Sequence, residues 1–417
     1  METPKRLIIL GAGPKALAIA AKAAALRAAS AEVPAITILE KSEIGAHWNG
    51  RHGFTDGFQP LVTPPEMDVG FPYSSDHWGP AKADIDRHML RYSWSSYKVL
   101  GEASESYRSW IDRGRPFPTL VEWSEYLRWV AEQVDIDFQQ GEAVEIGVTE
   151  EGRWRIAVAG DPVPLVGDGL VVTGPRVPKP LGVPNCFNAL DFWDNLELFR
   201  GAYIVCVVGA GLTASPMVEA LLSLLRPVPQ SYLYLISKSG FVFSQGRGHD
   251  ETRHYIDPTD WPRMRATSRR EFLRRVDRGV LLPEVSEALK RARITYKTVA
   301  GEAKMETVRD HEGFLEVPVI GHRRPLSVDF LLDARNMNRR WFVDLFEKAV
   351  VERLETIVSS KESLEHSIDF HLKVNDFTPN LHLPMLASFA QGPGFPNLHC
   401  LGLLSDRILA CYCKLPG

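Results

Sequence analysis

The sequence lacks the features that would place it in several common classes of protein. It contains no C-x-x-C pair that could relay electrons as a dithiol; its five cysteines are Cys186, Cys206, Cys400, Cys411 and Cys413. No histidine cluster accompanies Cys411 and Cys413, so no metal site is predicted. No apolar run approaches the about 20 residues of a membrane span, because Lys15, Lys22 and Arg27 interrupt the apolar N-terminal segment.

An excess of positive charge is also missing. The formal net charge is −4, so a nucleic acid is not an expected partner. The basic run at 263–278 has acidic neighbours and is predicted to be the solvated face of a helix. Because the N-terminus shows no secretory signal, we expect a cytoplasmic protein with reduced cysteines.

What the sequence does contain is a phosphate-binding turn near its start. The strand-like run RLIIL leads into a G-x-G-x-x-A turn and an alanine-rich helix, and the residues predicted to bind the cofactor there are Gly11, Gly13, Pro14, Lys15 and Ala16. The first glycine permits the tight turn, the second lets the backbone approach a pyrophosphate, and the small Ala16 lets the helix pack on the strand. The next strand, AITILE at 35–40, ends in Glu40, an acid suited to a ribose 2′-hydroxyl. This combination predicts an FAD site.

A second turn of the same kind follows at 207–225, in VVGAGLTASPMVEALLSLL. Its predicted cofactor-binding residues are Gly209, Gly211, Leu212 and Thr213. The next strand, YLYLIS, ends in Ser237 and Lys238 rather than in an acid. An acid would repel a 2′-phosphate, whereas a lysine beside hydroxyl groups can hold one, so the second turn predicts an NADPH site.

The two turns predict an α/β fold built from two Rossmann-like dinucleotide-binding domains, with the NADPH domain inserted into the FAD domain. The predicted boundaries are 1–199 for the first part of the FAD domain, 200–325 for the NADPH domain and 326–417 for the closing part. The run SVDFLLDARN at 327–336 is predicted to be the strand that returns the chain to the FAD domain.

Disulfide reductases, thioredoxin-reductase-like enzymes and flavin monooxygenases all combine two such domains. The first two classes need a redox-active cysteine pair, which this sequence does not have. The remaining interpretation is that NADPH passes hydride to the flavin, which passes electrons to oxygen or to a small acceptor.

Several segments resemble the N-hydroxylating flavoprotein monooxygenases, the lysine and ornithine N-hydroxylases of siderophore pathways. The resemblance spans nearly the whole chain and is greatest to the mycobactin-pathway lysine branch. Besides the second turn, it rests on LGAGPKALAIAAKA (10–23), DVGFPY (68–73), RYSWSSY (91–97), DRGRPFPT (112–119), DPTDW (257–261) and QGPGFPNLHCLGLLSDRIL (391–409).

The resemblance implies an enzyme that uses FAD, NADPH and molecular oxygen to hydroxylate a small-molecule primary amine through a C4a-hydroperoxyflavin. The flavin would carry the chemistry, so no catalytic side chain is assigned. A lysine side-chain amine has a solution pKa near 10.4, so the site must favour its neutral form. The resemblance also implies that Trp48 and Ser405 line the cofactor and that the protein forms a homo-oligomer.

The sequence departs from the family pattern in three places. Met67 stands where the family has a lysine that contacts the substrate carboxylate, and Thr252 aligns with an asparagine that also holds the substrate. The late A-T-G motif is replaced by residues 333–335, Asp-Ala-Arg. Losing the lysine removes a charge-assisted contact of about 1.5–3 kcal/mol.

These departures leave the substrate open at the level of sequence. Arg247 or Arg253 could hold an anionic group in place of the missing lysine, which would keep ordinary amino-acid specificity or admit an anionic aminoalkyl compound. The alternatives are a diamine, a carrier-bound or acylated lysine, and a degenerate homologue that binds flavin without catalysing hydroxylation.

Overall fold

The computed structural model describes residues 5–52, 55–101, 105–174, 182–277, 279–311, 313–335, 338–357 and 361–415. Within them the strands are, in chain order, β1 (Arg6–Leu10), β2 (Ala35–Glu40), β3 (Asp137–Gln140), β4 (Ala143–Val148), β5 (Trp154–Val158), β6 (Leu165–Gly167), β7 (Gly169–Val172), β8 (Cys186–Asn188), β9 (Ile204–Val208), β10 (Tyr232–Ser237), β11 (Phe243–Ser244), β12 (Val280–Leu281), β13 (Thr295–Ala300), β14 (Arg309–His311), β15 (Phe314–Val317), β16 (Leu326–Val328), β17 (Phe330–Asp333) and β18 (Asn380–His382).

The same residues form fourteen α-helices, some of them between the strands of two parallel sheets and others in runs such as α2 to α5. They are α1 (Pro14–Ala28), α2 (Lys82–Met89), α3 (Trp94–Leu100), α4 (Tyr107–Asp112), α5 (Leu120–Gln133), α6 (Asp191–Asp194), α7 (Ala214–Leu224), α8 (His249–Ile256), α9 (Ala266–Val276), α10 (Pro283–Arg291), α11 (Lys348–Ile357), α12 (Lys361–His366), α13 (Ser388–Gln391) and α14 (Leu401–Leu409). None of these helices is long and apolar enough to cross a bilayer.

The first sheet has the order β18-β7-β1-β2-β3, and its strands are parallel. Residues 7–10 of β1 are buried on both faces, which explains their unbroken apolar run. The helix α1 lies almost entirely in the core because alanines fill most of its length, and it packs against α14. These contacts fix the first glycine turn at the carboxyl edge of the sheet.

The second sheet has the order β13-β10-β9-β17-β8 and is also parallel. The strand predicted to return the chain to the FAD domain, β17, instead pairs with β9 and β8 in this sheet. The second unit therefore draws strands from Cys186 to Asp333, a wider span than the predicted 200–325. The sequence of β17, FLLD, is a short buried run that suits a central strand of either sheet. The sequence pattern therefore could not decide to which sheet β17 belongs.

Candidate functional site

The first glycine turn leaves an open cradle at the N-terminus of α1. Gly11 has φ +96°, and a Cβ there would lie 2.7 Å from Oγ1 of Thr173, so only glycine fits. Gly13 precedes the helix in an extended conformation, and nothing lies within 4 Å of where its Cβ would be. Pro14 occupies the first turn of α1. The free amide groups of this helix end can therefore face an anion such as a pyrophosphate.

Glu40 lies where the ribose of a dinucleotide is expected. It ends β2, and its carboxylate accepts hydrogen bonds from the backbone N–H groups of Ala12, 3.1 Å away, and Ser42, 2.9 Å away. These two bonds aim the side chain across the glycine turn. The carboxylate keeps acceptor sites for a ribose hydroxyl, so its geometry fits the predicted role.

Lys15 is the most unusual charge in the first turn. Its side chain is only 9% exposed, and no hydrogen bond or ion pair to its ammonium is found in the described part of the chain. Burial, followed by the positive charge of Arg339, lowers the pKa of Lys15 from 10.5 to about 8. A buried cation beside a helix N-terminus and a second cation is costly unless an anion binds there. The turn therefore fits the anionic part of FAD.

Two further residues, Trp48 and Ser405, were expected to line the FAD, and they differ in burial. Trp48 is half-buried, packs against the core of the first sheet and makes an edge contact with His47 at 5.2 Å. Ser405 is fully buried in α14, and its hydroxyl donates to the carbonyl of Gly402 at 2.8 Å. The cofactor contact of Ser405 therefore stays a prediction, and its hydroxyl is engaged within α14 in this structure.

The second glycine turn has the same construction. Gly209 has φ +108°, and a Cβ there would lie 3.1 Å from the backbone of Ala334. A Cβ at Gly211 would meet nothing within 4 Å, which leaves open space before α7. Leu212 and Thr213 are half-buried between this opening and the helix. The segment that replaces the A-T-G motif thus packs its alanine directly onto the second turn.

The end of β10 is exposed, as a 2′-phosphate site requires. Lys238 is 80% exposed, and its Nζ lies 3.1 Å from a carboxylate oxygen of Glu302. The hydroxyl of Ser237 donates to the carbonyl of Phe241 at 2.9 Å. Ser237 and Lys238 therefore lie together at the strand end, although the lysine is already paired with an acid.

The segment that carries Met67 contains a buried acid that sequence reasoning missed. Met67 is half-buried, whereas the next residue, Asp68, is 2% exposed. Asp68 accepts hydrogen bonds from the hydroxyl of Tyr73 at 2.7 Å and the backbone N–H of Trp94 at 2.8 Å. Burial raises the pKa of Asp68 to about 6. Its position inside the DVGFPY motif was the available signal.

The two arginines proposed to hold a substrate anion are already paired with acids. Arg247 Nη1 lies 2.6 Å from Glu284 Oε1, and Arg253 Nη2 lies 3.0 Å from Asp260 Oδ2.

Thr252 is exposed on α8, where its hydroxyl donates to the carbonyl of Gly248 at 2.7 Å. Residues 249–256 form this helix, and Arg253 within it is paired with Asp260 rather than left as a free cation.

Comparison with known proteins identifies the family. The chain is 38% identical over 420 residues to the L-lysine N6-monooxygenase MbtG of Mycolicibacterium paratuberculosis, which covers 97% of this chain and 94% of that protein. The chain belongs to the lysine N6-monooxygenase family. No family model matched the sequence.

Solved structures agree with this membership. The lysine monooxygenase NbtG of Nocardia farcinica matches 97% of this chain and 100% of its own with a TM-score of 0.83 and 33% identity. The Kutzneria ornithine N-hydroxylase KtzI, solved with reduced FAD, NADP+ and L-ornithine, covers 98% of this chain and 99% of its own with a TM-score of 0.73 at 17% identity, which shows a shared fold. The lysine N6-monooxygenase assignment confirms an NADPH-dependent flavoprotein monooxygenase with FAD and NADPH as cofactors.

Proposed function

We propose that this chain N-hydroxylates a primary amine of the lysine type, using FAD, NADPH and molecular oxygen, in the biosynthesis of a siderophore or related metabolite. Two open glycine cradles, at Gly13 and Gly211, each at the carboxyl edge of its own parallel sheet, support the binding of two dinucleotides. The observation that carries amine hydroxylation is membership of the lysine N6-monooxygenase family.

The side chains divide into two binding sets under this proposal. The FAD would be held by the turn from Gly11 to Ala16, by the ammonium of Lys15, by Glu40 and beside Trp48. The NADPH would be held by the turn from Gly209 to Thr213 and by Ser237 with Lys238. When bound, FAD supplies the redox chemistry that activates oxygen, while the protein orients the amine and excludes water.

The amine must lose its proton before it can attack an electrophilic oxygen. A lysine-type ammonium has a pKa near 10.4 in water, so the site has to lower that value. Burial of the amine in the closed site would lower its pKa, because desolvation disfavours the charged form.

A second candidate is an amine whose carboxylate is absent or masked, such as a diamine or an acylated lysine. Three observations favour it: Met67 offers no charge, Arg247 and Arg253 are paired with Glu284 and Asp260, and the Thr252 hydroxyl is bonded to its own helix. A free carboxylate at either arginine would have to share the guanidinium with the acid that is already there. Free lysine keeps the support of the family relationship.

A panel of amines separates these candidates. The FAD-loaded enzyme is given L-lysine, N2-acetyl-lysine and cadaverine, and the hydroxylamine product is measured together with NADPH oxidised and hydrogen peroxide formed. Coupled hydroxylation of free lysine at low concentration supports the first candidate, and coupling only with the carboxylate-free or acylated amines supports the second.

The pair Met67→Lys and Met67→Leu sharpens the result. If position 67 faces the substrate carboxylate, Met67→Lys lowers the KM for free lysine about tenfold relative to Met67→Leu. Conversion of every electron pair to hydrogen peroxide with all amines would instead identify a degenerate homologue.

The proposal also covers the cellular location, the partners and the oligomeric state. We infer a cytoplasmic enzyme that acts without nucleic acid or membrane and forms a homo-oligomer. Light scattering on the purified, FAD-loaded protein measures its mass; a monomer at working concentration contradicts the oligomer.

A further inference from the structure

The ends of β10 and β13 bring an acid to the place where the NADPH ribose is expected. Ser237 pairs with Ala300 across the two strands, and a Cβ at Gly240 would lie 2.7 Å from the Ala300 side chain. Glu302, two residues beyond β13, thereby reaches Lys238 at 3.1 Å. The strand β10 itself ends without an acid, but its neighbour supplies one.

This acid affects the choice between the two nicotinamide cofactors. In a dinucleotide-binding unit, a carboxylate at the end of the second strand accepts hydrogen bonds from a ribose 2′-hydroxyl and repels a 2′-phosphate. Lys238 and Glu302 are 80% and 46% exposed, so solvent weakens their pair and a phosphate can displace the carboxylate. After the phosphate has displaced the Glu302 carboxylate from Lys238, that carboxylate still lies nearby as a negative charge.

The neighbouring cation Arg335 does not neutralise Glu302, because Arg335 already has an acidic partner of its own. Arg335 is bonded to Asp333 at 2.7 Å, and that contact, followed by Glu302 and Glu306, raises the pKa of Arg335. The nearby cation is thus already neutralised by its own partner. Lys238 is the cation for which Glu302 and an incoming phosphate would compete.

An exposed aromatic ring lies next to the same strand end. Phe241 and Phe243 are 65% and 61% exposed, and their rings stack with centroids 6.2 Å apart. The carbonyl of Phe241 accepts hydrogen bonds from the hydroxyls of Ser237 and Ser239, which fixes the loop that carries the ring. An exposed, positioned ring beside a ribose site is a surface on which a nucleobase can stack.

We propose that Glu302 is a specificity-determining residue that competes with the 2′-phosphate of NADPH for Lys238, and that Phe241 is the surface on which the adenine stacks. Glu302 therefore narrows the preference of the enzyme for NADPH over NADH. Phe241 contributes equally to both cofactors, because they share the adenine.

The test of Glu302 measures binding and needs no amine substrate. Calorimetric titration of the FAD-loaded protein with 2′,5′-ADP and with 5′-ADP is compared for wild type, Glu302→Gln and the matched control Glu306→Gln. We expect Glu302→Gln to tighten 2′,5′-ADP about five- to tenfold at low salt, with 5′-ADP unchanged or weaker and Glu306→Gln near wild type. Unchanged or weaker binding of 2′,5′-ADP by Glu302→Gln overturns the competition.

The test of Phe241 uses the same titrations. Phe241→Ser should weaken 2′,5′-ADP and 5′-ADP alike, by about tenfold, and Phe241→Tyr should bind both as the wild type does. If Phe241→Ser binds both nucleotides normally, the stacking surface is refuted. Failure of either test leaves amine hydroxylation untouched, since neither depends on turnover.

Discussion

The two glycine turns share a backbone plan but use their charges in opposite ways. In the first turn Lys15 is 9% exposed and has no ion-pair partner within the described chain, so its charge is uncompensated until a ligand arrives. In the second, Lys238 is 80% exposed and already paired with Glu302. A buried unpaired cation can raise ligand affinity strongly, whereas an exposed pair can only adjust it. We therefore expect tight FAD binding at the first turn and weaker, exchangeable NADPH binding at the second.

The largest effects should come from closing one cradle at a time. Nothing lies within 4 Å of the Cβ position at Gly13 or at Gly211, so a side chain placed there starts in the open space that the cofactor would fill. Gly13→Val should weaken FAD binding at least about a hundredfold, or about 2.8 kcal/mol. Gly211→Val should keep its flavin and weaken NADP+ binding to a similar extent.

Flavin absorbance after gel filtration and titration with NADP+ measure the two effects, and each variant is the control for the other. The assignment of FAD to the first turn and NADPH to the second is contradicted if both variants lose FAD, or if Gly13→Val retains it.

Replacing the buried cation Lys15 should have a smaller effect than closing a cradle. It should weaken FAD binding but stabilise the protein without FAD. Lys15→Met should weaken FAD binding about tenfold to a hundredfold through loss of a charge-assisted contact. The same change should raise the free energy of unfolding of the apoprotein by about 1 to 3 kcal/mol, because a buried charge becomes an apolar side chain. Urea unfolding of the flavin-free protein checks the second effect, and apoprotein destabilised by the change would contradict the uncompensated charge.

The pH dependence of FAD binding follows from the same residue. Lys15 has a pKa near 8 in the protein without ligand, and a bound anion would raise it. Its contribution to affinity is therefore complete below pH 8 and is lost as the pH rises above 8, by up to about tenfold per pH unit. Fluorescence titrations from pH 7 to 9 should show this decline for wild type and a flat profile for Lys15→Met. A flat wild-type profile would show that Lys15 does not respond to the ligand.

The smallest effect is expected at the exposed lysine. Lys238→Glu should raise the KM for NADPH about tenfold and leave that for NADH unchanged, because only NADPH carries the 2′-phosphate. Initial rates of flavin reduction with each cofactor measure this, and an equal loss with both would place the lysine elsewhere in the site.

Local patterns predicted both turns because strand, glycine spacing and helix are neighbours in sequence. They did not assign β17, since a buried run such as FLLD is compatible with either sheet and its partner strands are distant in sequence. Pairing of Arg247 with Glu284 was hidden for the same reason, as the two residues meet only in the folded chain. The burial of Ser405 depends on packing of α14 that a motif match does not report. Glu302 was not predicted because it reaches Lys238 only through the pairing of β13 with β10.

Incorporation of isotopically labelled molecular oxygen tests amine hydroxylation most directly. The FAD-loaded enzyme is supplied with NADPH, labelled oxygen and the best amine of the panel, and the product is examined by mass spectrometry. Our account predicts a hydroxylamine carrying one labelled oxygen atom, formed in proportion to NADPH oxidised. Labelled hydrogen peroxide with no labelled hydroxylamine from any primary amine would contradict it.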